Sequence, residues 1–283
     1  MRHLFAALLA FALLPAVSAL AQDGKWDARI TAATGDVTIV PADGSPEVSG
    51  EADMPLEEGD RVVVAEGGSA EVALDGGSLI AVREKSDLKI EKADKGDSTF
   101  FLSMGSLFAK IQKLGTQRLR VRTPTAVAAV RGTEFGVEVD GENSHVGVFD
   151  EGKVEVTGES GGAPELLISN QETSVRKGAA PAHAAQLQRF IAHRALMRGQ
   201  GRRLATIKAR WKALPPDQRR EMRKKVMERM REHRKKFLEK RADLKQKVNE
   251  KQKQAVERQQ RNRREGLRKM EERRNNIRRR DRK

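Results

Sequence analysis

A change of sequence pattern near residue 180 is the feature that most restricts how this chain can fold. Before that point, short runs of alternating apolar and polar residues are separated by Gly-Asp and Asp-Gly corners, a pattern typical of half-buried strands. After it, apolar residues recur at intervals of four and seven among many basic residues, which indicates helices. The sequence therefore predicts a mainly β N-terminal domain followed by long basic α-helices.

The charge of the chain divides at the same place. Residues 1–180 carry 18 Lys and Arg against 28 Asp and Glu, whereas residues 181–283 carry 37 against 12. The formal net charge of +15 thus combines −10 in the first part with +25 in the second, so the two parts are interpreted separately. The chain has no Cys, which excludes disulfides, thiol chemistry and Cys-ligated metals.

The first 21 residues have the pattern of a secretory signal. A short polar start precedes the apolar run Leu4–Leu14, and small residues at Ala19 and Ala21 form a cleavage site. The apolar run is shorter than the ~20 residues that a membrane span needs, which favours a cleaved signal over an anchor. We therefore expect export, cleavage near Ala21, a periplasmic location, and a mature chain without a transmembrane span.

Residues 22–178 form the predicted β domain. We expect about a dozen short strands around one core, and a sandwich, a jelly-roll or a short solenoid would all fit the pattern. In its central stretch, Phe135 and alternate residues after it point to one face. Gly132 marks a turn or a close backbone approach. Thr123 should be extended because it precedes Pro124.

Two segments of this domain, Thr123–Phe135 and Gly147–Val154, resemble the signature of the FecR-type periplasmic domain. Leu56–Val64 and Gly68–Ile80 fit the same family pattern, so the resemblance covers roughly residues 30–160. The signature positions, which we interpret as structural, are Thr123, Pro124, Arg131, Gly132, Thr133, Phe135 and Gly152. For Arg131, pairing with a carboxylate and carbonyls inside the domain is the preferred interpretation, and exposure toward a partner is the alternative.

The FecR resemblance implies protein–protein contact in the bacterial envelope, as in the relay of a receptor signal toward a sigma factor. This chain departs from that arrangement, because its predicted signal directly precedes the β domain. We find neither a cytoplasmic sigma-binding segment nor a spanning helix in the sequence. The receptor partner and transmembrane signalling are therefore not carried over from the family.

Residues 179–283 form the predicted basic helical region. A flexible hinge, Gly178–His183, leads to a helix over 184–214, and Pro215 with Pro216 breaks it before a long helix over 217–280. The long helix has a thin apolar seam made of Met222, Val226, Met230, Phe237, Leu244, Val248, Leu267 and Met270. Such a seam suits packing on the preceding helix, or a coiled coil with a partner or a second copy.

Basic residues of the long helix are candidate contacts to a partner or a polyanion, because Lys and Arg attract phosphates independently of sequence. The residues selected are Arg219, Arg220, Arg223, Lys224, Arg234 and Lys235. Export makes an envelope protein, an anionic envelope polymer or a membrane surface the expected partner, rather than nucleic acid. The alternative is a solvated charged helix held by i,i+4 ion pairs.

The opposite charges of the two parts permit two arrangements. The tail could fold back on the β domain and be displaced by a polyanion, since a tether raises the effective concentration to about millimolar. Exposed ion pairs are weak, however, about 0–1 kcal/mol each, and the acidic residues look dispersed over many turns. The sequence therefore favours an independent helical arm.

Patterns of catalytic residues are not found. The five His stand apart from one another, and there is no Gly-x-Ser-x-Gly elbow or Gly-Lys-Ser/Thr phosphate loop. A glycosidase-type carboxylate pair is disfavoured, although sequence alone does not exclude one. We expect a non-enzymatic protein without a metal or another cofactor.

Overall fold

The computed structural model describes residues 24–75, 77–112, 118–130 and 132–233, and then 235–236, 239–240, 243–247, 250 and 252. Five predictions fall on residues outside this set. They are the secretory signal up to Ala21, the role of Arg131, the contact made by Arg234, the extension of the long helix toward residue 280, and the seam positions Phe237, Val248, Leu267 and Met270. These stay predictions.

Strands dominate the first part of the chain, as the alternating pattern predicts. The described residues contain 17 strands. They are β1 (Ala28–Thr34), β2 (Val37–Val40), β3 (Val48–Ser49), β4 (Pro55–Leu56), β5 (Arg61–Val64), β6 (Ser69–Leu74), β7 (Ser78–Val82), β8 (Ser86–Ala93), β9 (Asp97–Lys110), β10 (Arg118–Arg122), β11 (Ala126–Val130), β12 (Glu134–Asp140), β13 (Asn143–Val148), β14 (Lys153–Gly158), β15 (Glu165–Ile168), β16 (Gln171–Arg176) and β17 (Ala185–Gln186).

The strands form two layers that face each other. The first layer has the order β4-β1-β6-β7-β9-β12-β13-β16-β17, and all of these pairs are antiparallel. The second layer has the order β3-β2-β5-β8-β9-β10-β11-β14-β15. Among the described strands, only β9 and β10 pair in parallel.

Strand β9 belongs to both layers. Its residues up to Met104 pair with β8 and β10, and those from Gly105 onward pair with β7 and β12. Gly105 has φ 83°, and a Cβ there would lie 2.5 Å from the carbonyl oxygen of Lys85. Only glycine fits such a corner. The bend at Gly105 therefore lets one strand pass from one layer to the other.

The hydrophobic core fills the space between the layers. Ile39, Val62 and Leu88 from the second layer and Ile30 and Val72 from the first are all fully buried in one cluster. This is the packing of two sheets through their apolar faces. The mainly β prediction is confirmed, and of the three predicted architectures the structure has the sandwich.

The structure has more strands than the predicted dozen because some of them carry no sequence signal. β3, β4 and β17 are two residues long, too short for an alternating pattern to register. Their hydrogen bonds are set by neighbouring strands, as Ala185 and Gln186 pair with Glu172 and Gln171.

The helix predicted over 184–214 is shorter than expected. A 3-10 turn occupies Ile191–His193, and the helix α1 spans Arg194–Arg210. The residues before it follow β16 and then lie over the outer face of the first layer, where Leu187 and Phe190 are buried. The three-residue spacing of Leu187 and Phe190 thus belongs to an irregular segment that packs on a sheet, and not to a helix.

Phe190 lies on a flat site that two glycines create. Gly136 and Gly147 are opposite each other on β12 and β13. A Cβ on Gly147 would lie 2.4 Å from the Phe190 ring, and one on Gly136 would lie 3.1 Å from it. The ring also packs edge-on against Phe108, with 6.1 Å between centroids. Side chains at these two positions would therefore displace the segment that carries Phe190.

Helix α1 continues over the same layer. Its Leu204 is buried against Ala73 and Leu79, and Trp211, just beyond the helix end, packs on the same cluster. At the edge of this contact, Arg203 pairs with Glu71 at 2.6 Å. The basic helix thus buries an apolar stripe and pairs a flanking cation with an acid of the β domain.

A second helix, α2, begins at residue 216, as the Pro-Pro break predicts, and is helical through 233. Val226, Met227 and Met230 are buried and belong to the core cluster of the sandwich. Part of the predicted seam therefore packs on the β domain. The described residues from 231 onward are exposed, including Leu244 at 62%.

These contacts correct one expectation. We call residues 185–230 the strap, because they run over the sandwich and pack on it along most of their length. The predicted independent arm is wrong for the strap. The segment before it is also hydrogen-bonded to the sheet rather than being a free hinge, since the Ala182 carbonyl accepts from Thr173 Oγ1 at 2.6 Å. The domain boundary at 178/179 stays a prediction.

In the described part of the chain, no helix combines the length and apolar composition that a bilayer crossing requires.

Phe135→Ala should lower the free energy of unfolding by about 3–5 kcal/mol, because the ring is fully buried and its removal leaves a cavity. Urea unfolding followed by circular dichroism measures this loss. Met104→Ala is the matched control, since Met104 is 55% exposed and should lose little. A loss at Phe135 as small as that at Met104 would contradict the placement of Phe135 in the core.

The strap should loosen in acid through His193. Burial lowers the pKa of His193, and nearby Arg83 lowers it further; the ring stacks on Phe108 with 4.2 Å between centroids. Because the folded-state pKa lies below the unfolded value, the contribution of neutral His193 is complete above about pH 6.5. It is lost as the pH falls from there toward the folded value.

We therefore expect wild-type stability to fall between about pH 8 and about pH 5, and to fall less in His193→Phe. Urea midpoints at the two pH values measure the difference. His183→Phe is the control, because the His183 side chain is fully exposed. The same pH dependence in wild type and His193→Phe would show that His193 makes no such contribution.

Candidate functional site

The Thr-Pro-Thr part of the signature connects the two layers. Thr123 and Thr125 lie between β10 and β11, and both are buried. The hydroxyl of Ser144, on β13 in the other layer, donates to Thr123 Oγ1 at 2.7 Å and lies 2.6 Å from the Thr125 hydroxyl. Pro124 between them is exposed. The threonines thus form a buried hydrogen-bond network between the layers.

The Gly-Thr part of the signature forms the corner that precedes β12. Gly132 has φ 69°, and Gly152 has φ 101°. The hydroxyl of Thr133 donates to the Glu151 carbonyl, and a Cβ on Gly152 would lie 2.2 Å from the Cβ of Thr133. Both glycines therefore occupy positions that larger residues would strain. This part of the signature therefore serves the backbone conformation of the corner before β12.

The start of α2 is attached to the β domain by a buried ion pair. Asp60 has no exposed surface, and the guanidinium of Arg223 binds its carboxylate through two nitrogens, at 2.5 and 2.9 Å. The same carboxylate accepts the backbone N–H groups of Ala42 and Glu57 at 3.0 and 2.9 Å. Each carboxylate oxygen thus receives one guanidinium and one backbone N–H donor, so the buried carboxylate has its hydrogen bonds satisfied.

A second attachment lies one turn earlier on α2. The buried Arg219 donates to the carbonyl of Trp26 at 2.6 Å. Nearby, Asp27 pairs with Arg29 at 2.6 Å and accepts the backbone N–H of Leu214 at 2.8 Å. The connection between α1 and α2 is therefore held through the strand residues at the start of the sandwich.

The six predicted basic contact residues divide into groups. Arg219 and Arg223 bind the β domain, so they are not the freely exposed contacts that the sequence predicted. Arg220, Lys224 and Lys235 are exposed. Arg234 lies outside the described residues. Arg219 and Arg223 bind the β domain for a physical reason, because a buried carbonyl and a buried carboxylate each need a donor.

Sequence reasoning missed Asp60 as a key residue. Gly59-Asp60 is one of the Gly-Asp corners between predicted strands, and Arg223, the partner of Asp60, lies 163 positions away in the chain. Gly59 itself has φ 92°. A signal existed, because the segment from Leu56 to Val64 fits the family pattern, but nothing in the sequence pointed to a buried carboxylate.

Beside the Asp60–Arg223 pair lies a cleft of about 570 Å³. One wall is a face of α2 that presents Arg220, Lys224 and Arg231. The other wall belongs to the β domain and presents acidic side chains. These are Asp43, Glu57 and Glu58; the same wall carries Lys25, which pairs with Glu58, and Glu228 lies on the α2 wall. Leu56, Ala93 and Met227 supply apolar surface between the walls. We call this the helix cleft.

Burial raises the pKa of the Glu57 carboxyl above its usual value, although Arg219 and Arg223 act against that shift. No ion pair or side-chain hydrogen bond holds this carboxyl within the described residues. On the opposite wall, Lys224 likewise forms no ion pair there. Glu57 and Lys224 thus line the same cleft without pairing with each other, whereas Glu58 pairs with Lys25 there.

A groove of about 610 Å³ crosses the outer face of the second layer. Arg120, Ala129, Glu155 and Leu166 form one row across β10, β11, β14 and β15. Arg120 binds Asp97 through both carboxylate oxygens, each at 2.8 Å. Leu166 is 53% exposed. The groove therefore mixes apolar residues with charged ones, and Arg118, Lys153 and Glu155 line it without an ion pair within the described residues.

Within the described residues, no three His, Asp or Glu side chains are grouped so that they could hold a metal ion. Asp60 and Asp27, two buried carboxylates, are occupied by arginines and backbone amides. Described residues therefore give no support for acid–base chemistry at these two positions.

The signature and Asp60 of the Gly-Asp corner lie within one segment that matches a known protein family. Residues 60–155 match the family described as FecR protein. This stretch is similar to a FecR-type domain. The match begins at Asp60 and extends past Gly152, so it includes the carboxylate that holds α2 and all the predicted signature positions. No curated protein matches the chain significantly.

Two solved structures of a candidate anti-sigma factor from Parabacteroides distasonis ATCC 8503 are similar to this chain. Both are 19% identical to it, with TM-scores of 0.42 and 0.41 over 48% and 47% of its length. This chain spans 64% and 62% of the length of those two structures.

Removing Arg223 should cost far more than removing an exposed cation. Arg223→Ala leaves the Asp60 carboxylate buried without its counter-charge, a situation that costs about 3–5 kcal/mol in proteins. Urea unfolding measures the loss. Lys225→Ala, two residues further along α2, is the matched control, because Lys225 pairs with Glu221 on the exposed side and should change stability by under about 0.5 kcal/mol.

The double variant Asp60→Asn with Arg223→Met tests the cause. Replacing both charges should recover part of the loss, because no uncompensated charge then remains buried. If the double variant is less stable than Arg223→Ala, the buried carboxylate is not the source of the loss.

Proposed function

We propose that the protein is a non-enzymatic binding protein of the bacterial envelope. In this proposal the FecR-type sandwich holds a basic helical tail, and the tail contacts a partner protein. One observation carries it: α2 is bound to the sandwich through Arg223, Val226 and Met230, and its described residues beyond 230 are exposed. A helix that is anchored at one end and exposed beyond it suits presentation to another molecule.

The charge of the exposed part supports the choice of partner. Residues 231–283 carry 23 Lys and Arg against 9 Asp and Glu. Such a tail attracts anionic surfaces and repels cationic ones. An acidic face of an envelope protein is the partner that this proposal names, and helix–helix association with a second copy stays open because Leu244 of the seam is exposed.

The family supports a binding role rather than catalysis. The FecR resemblance implies protein contacts and signalling-associated roles in the envelope. In this chain Asp60 and Asp27 serve to hold helices. The structure thus uses buried charge for attachment, which fits a scaffold.

Direct binding of an anionic polymer or a membrane surface is the second candidate. It is favoured by α1, which has six Lys and Arg and no Asp or Glu over residues 194–210. Arg202 and Arg210 are exposed and form no ion pair within the described residues. In this case α1 and the tail would together bind phosphate-rich envelope material, with a strong dependence on salt.

The proposed location is the periplasm. It rests on the sequence pattern of a cleaved signal before Gln22 and on the family resemblance. N-terminal sequencing of protein purified from the native host tests it, since the mature chain should start at or near Gln22.

Crosslinking and pull-down from intact envelopes with the full chain distinguish the two candidates. The variant Lys235→Glu with Lys236→Glu reverses two exposed charges of the tail. Lys89→Glu with Lys177→Glu makes the same charge change on the sandwich and serves as the control. A defined partner that is captured by wild type and by the control, but at least tenfold less by the tail variant, supports the proposal.

Retention on anionic vesicles distinguishes the second candidate function from the first. If vesicle binding falls steeply with salt and with Arg202→Gln plus Arg210→Gln, while no defined protein is captured, then polyanion binding replaces the proposal. Capture of the same partner by the tail variant and by wild type would show that the tail is not the contact. Full-length chain is required throughout, because residues 22–178 alone would lack the strap.

A further inference from the structure

The helix cleft has two walls that each carry mostly one charge, acidic on the β domain and basic on α2, with Lys25 and Glu228 as the exceptions. The β-domain wall carries Asp43, Glu57 and Glu58, and the α2 wall carries Arg220, Lys224 and Arg231. A site for a simple anion would be expected to lack the carboxylates, and a site for a simple cation would lack the basic side chains. The arrangement instead matches a ligand that carries both charges.

Two of these charges are unsatisfied within the described residues. Glu57 is partly buried, and its carboxyl receives neither a hydrogen bond nor an ion pair. Lys224 on the opposite wall is exposed and also forms no ion pair. By contrast, the neighbouring Lys225, which points away from the cleft, pairs with Glu221 at 2.7 Å. Glu57 and Lys224 are thus unpaired on opposite walls within the described residues, whereas Glu58 pairs with Lys25 in the same cleft.

Between the charged walls the surface is apolar. Leu56, Ala93 and Met227 line the cleft and are largely buried. The volume of about 570 Å³ is within the range of small-ligand sites, about 300–1,000 Å³. An apolar group between an acidic and a basic group would fill this space.

We propose that the helix cleft binds a short zwitterionic peptide segment. Its ammonium group would face Glu57 and Asp43, its carboxylate would face Lys224 and Arg231, and an apolar side chain would lie on Leu56 and Met227. The raised pKa of Glu57 supports this assignment, because burial disfavours its charged form despite Arg219 and Arg223, and a ligand ammonium would favour that form. The inference is separate from the proposed tail contact, which uses residues beyond 230.

Fluorescence anisotropy with labelled, end-blocked tripeptides and the full chain tests the proposal. The probes are Glu-Leu-Lys, Glu-Leu-Glu and Lys-Leu-Lys at one ionic strength. We expect Glu-Leu-Lys to bind at least tenfold more tightly than either single-sign probe. Glu57→Gln and Lys224→Gln should each weaken Glu-Leu-Lys about tenfold, the effect of losing one charge-assisted hydrogen bond.

The controls are neighbouring charges that do not line the cleft. Lys225→Gln and Glu66→Gln should leave the affinity unchanged, and thermal unfolding should show that all four variants fold as wild type does. If Glu-Leu-Glu binds as well as Glu-Leu-Lys, or binds more tightly to Glu57→Gln, the cleft is an anion site and the proposal is wrong. Absence of Glu-Leu-Lys binding at millimolar concentration also overturns it. Loss of envelope-partner capture in the tail variant has no bearing on either result.

Discussion

The attachment of the helical tail depends on one buried ion pair. Asp60 sits at a tight Gly-Asp corner of the sandwich with no exposed surface, and Arg223 reaches it from α2. Burying a carboxylate is unfavourable unless every lone pair finds a donor. Two backbone amides and one guanidinium meet that condition. The Asp60 carboxylate therefore has all of its donors only when α2 is in place.

The strap places basic residues of the second part of the chain against acidic residues of the β domain. Arg189 binds Glu138 at 2.7 Å, and Arg203 binds Glu71 at 2.6 Å. These pairs are partly exposed, so each contributes little, about 0–1 kcal/mol. The larger contribution comes from Phe190 and other apolar strap residues that cover the outer face of the first layer. Charge thus guides the strap to the acidic domain, and burial of apolar side chains holds it there.

The sequence predicted local structure better than long-range contacts. Alternation around Phe135 correctly indicated buried strands, and Pro216 correctly indicated a new helix. The helix expected from residue 184 was wrong at its start, because Leu187 and Phe190 have helical spacing but contact a flat pair of glycines on the sheet. The partner of Asp60 could not be predicted, because a contact across 163 positions leaves no periodic trace. The helix cleft depends on that same contact, so it could not be predicted from the sequence either.

The buried pair also fixes the position of α2 along the sandwich. If α2 slipped by one turn in one direction, Met227 would meet Asp60 and leave its carboxylate without a counter-charge. In the other direction Arg219 would meet Asp60, but Arg223 would then take the place of Met227 in the apolar core. Both shifts bury an unpaired charge, which costs several kcal/mol. We infer that the pair contributes less to overall stability than to this choice of register, as buried polar groups do in coiled coils. The register in turn sets which basic side chains face the helix cleft.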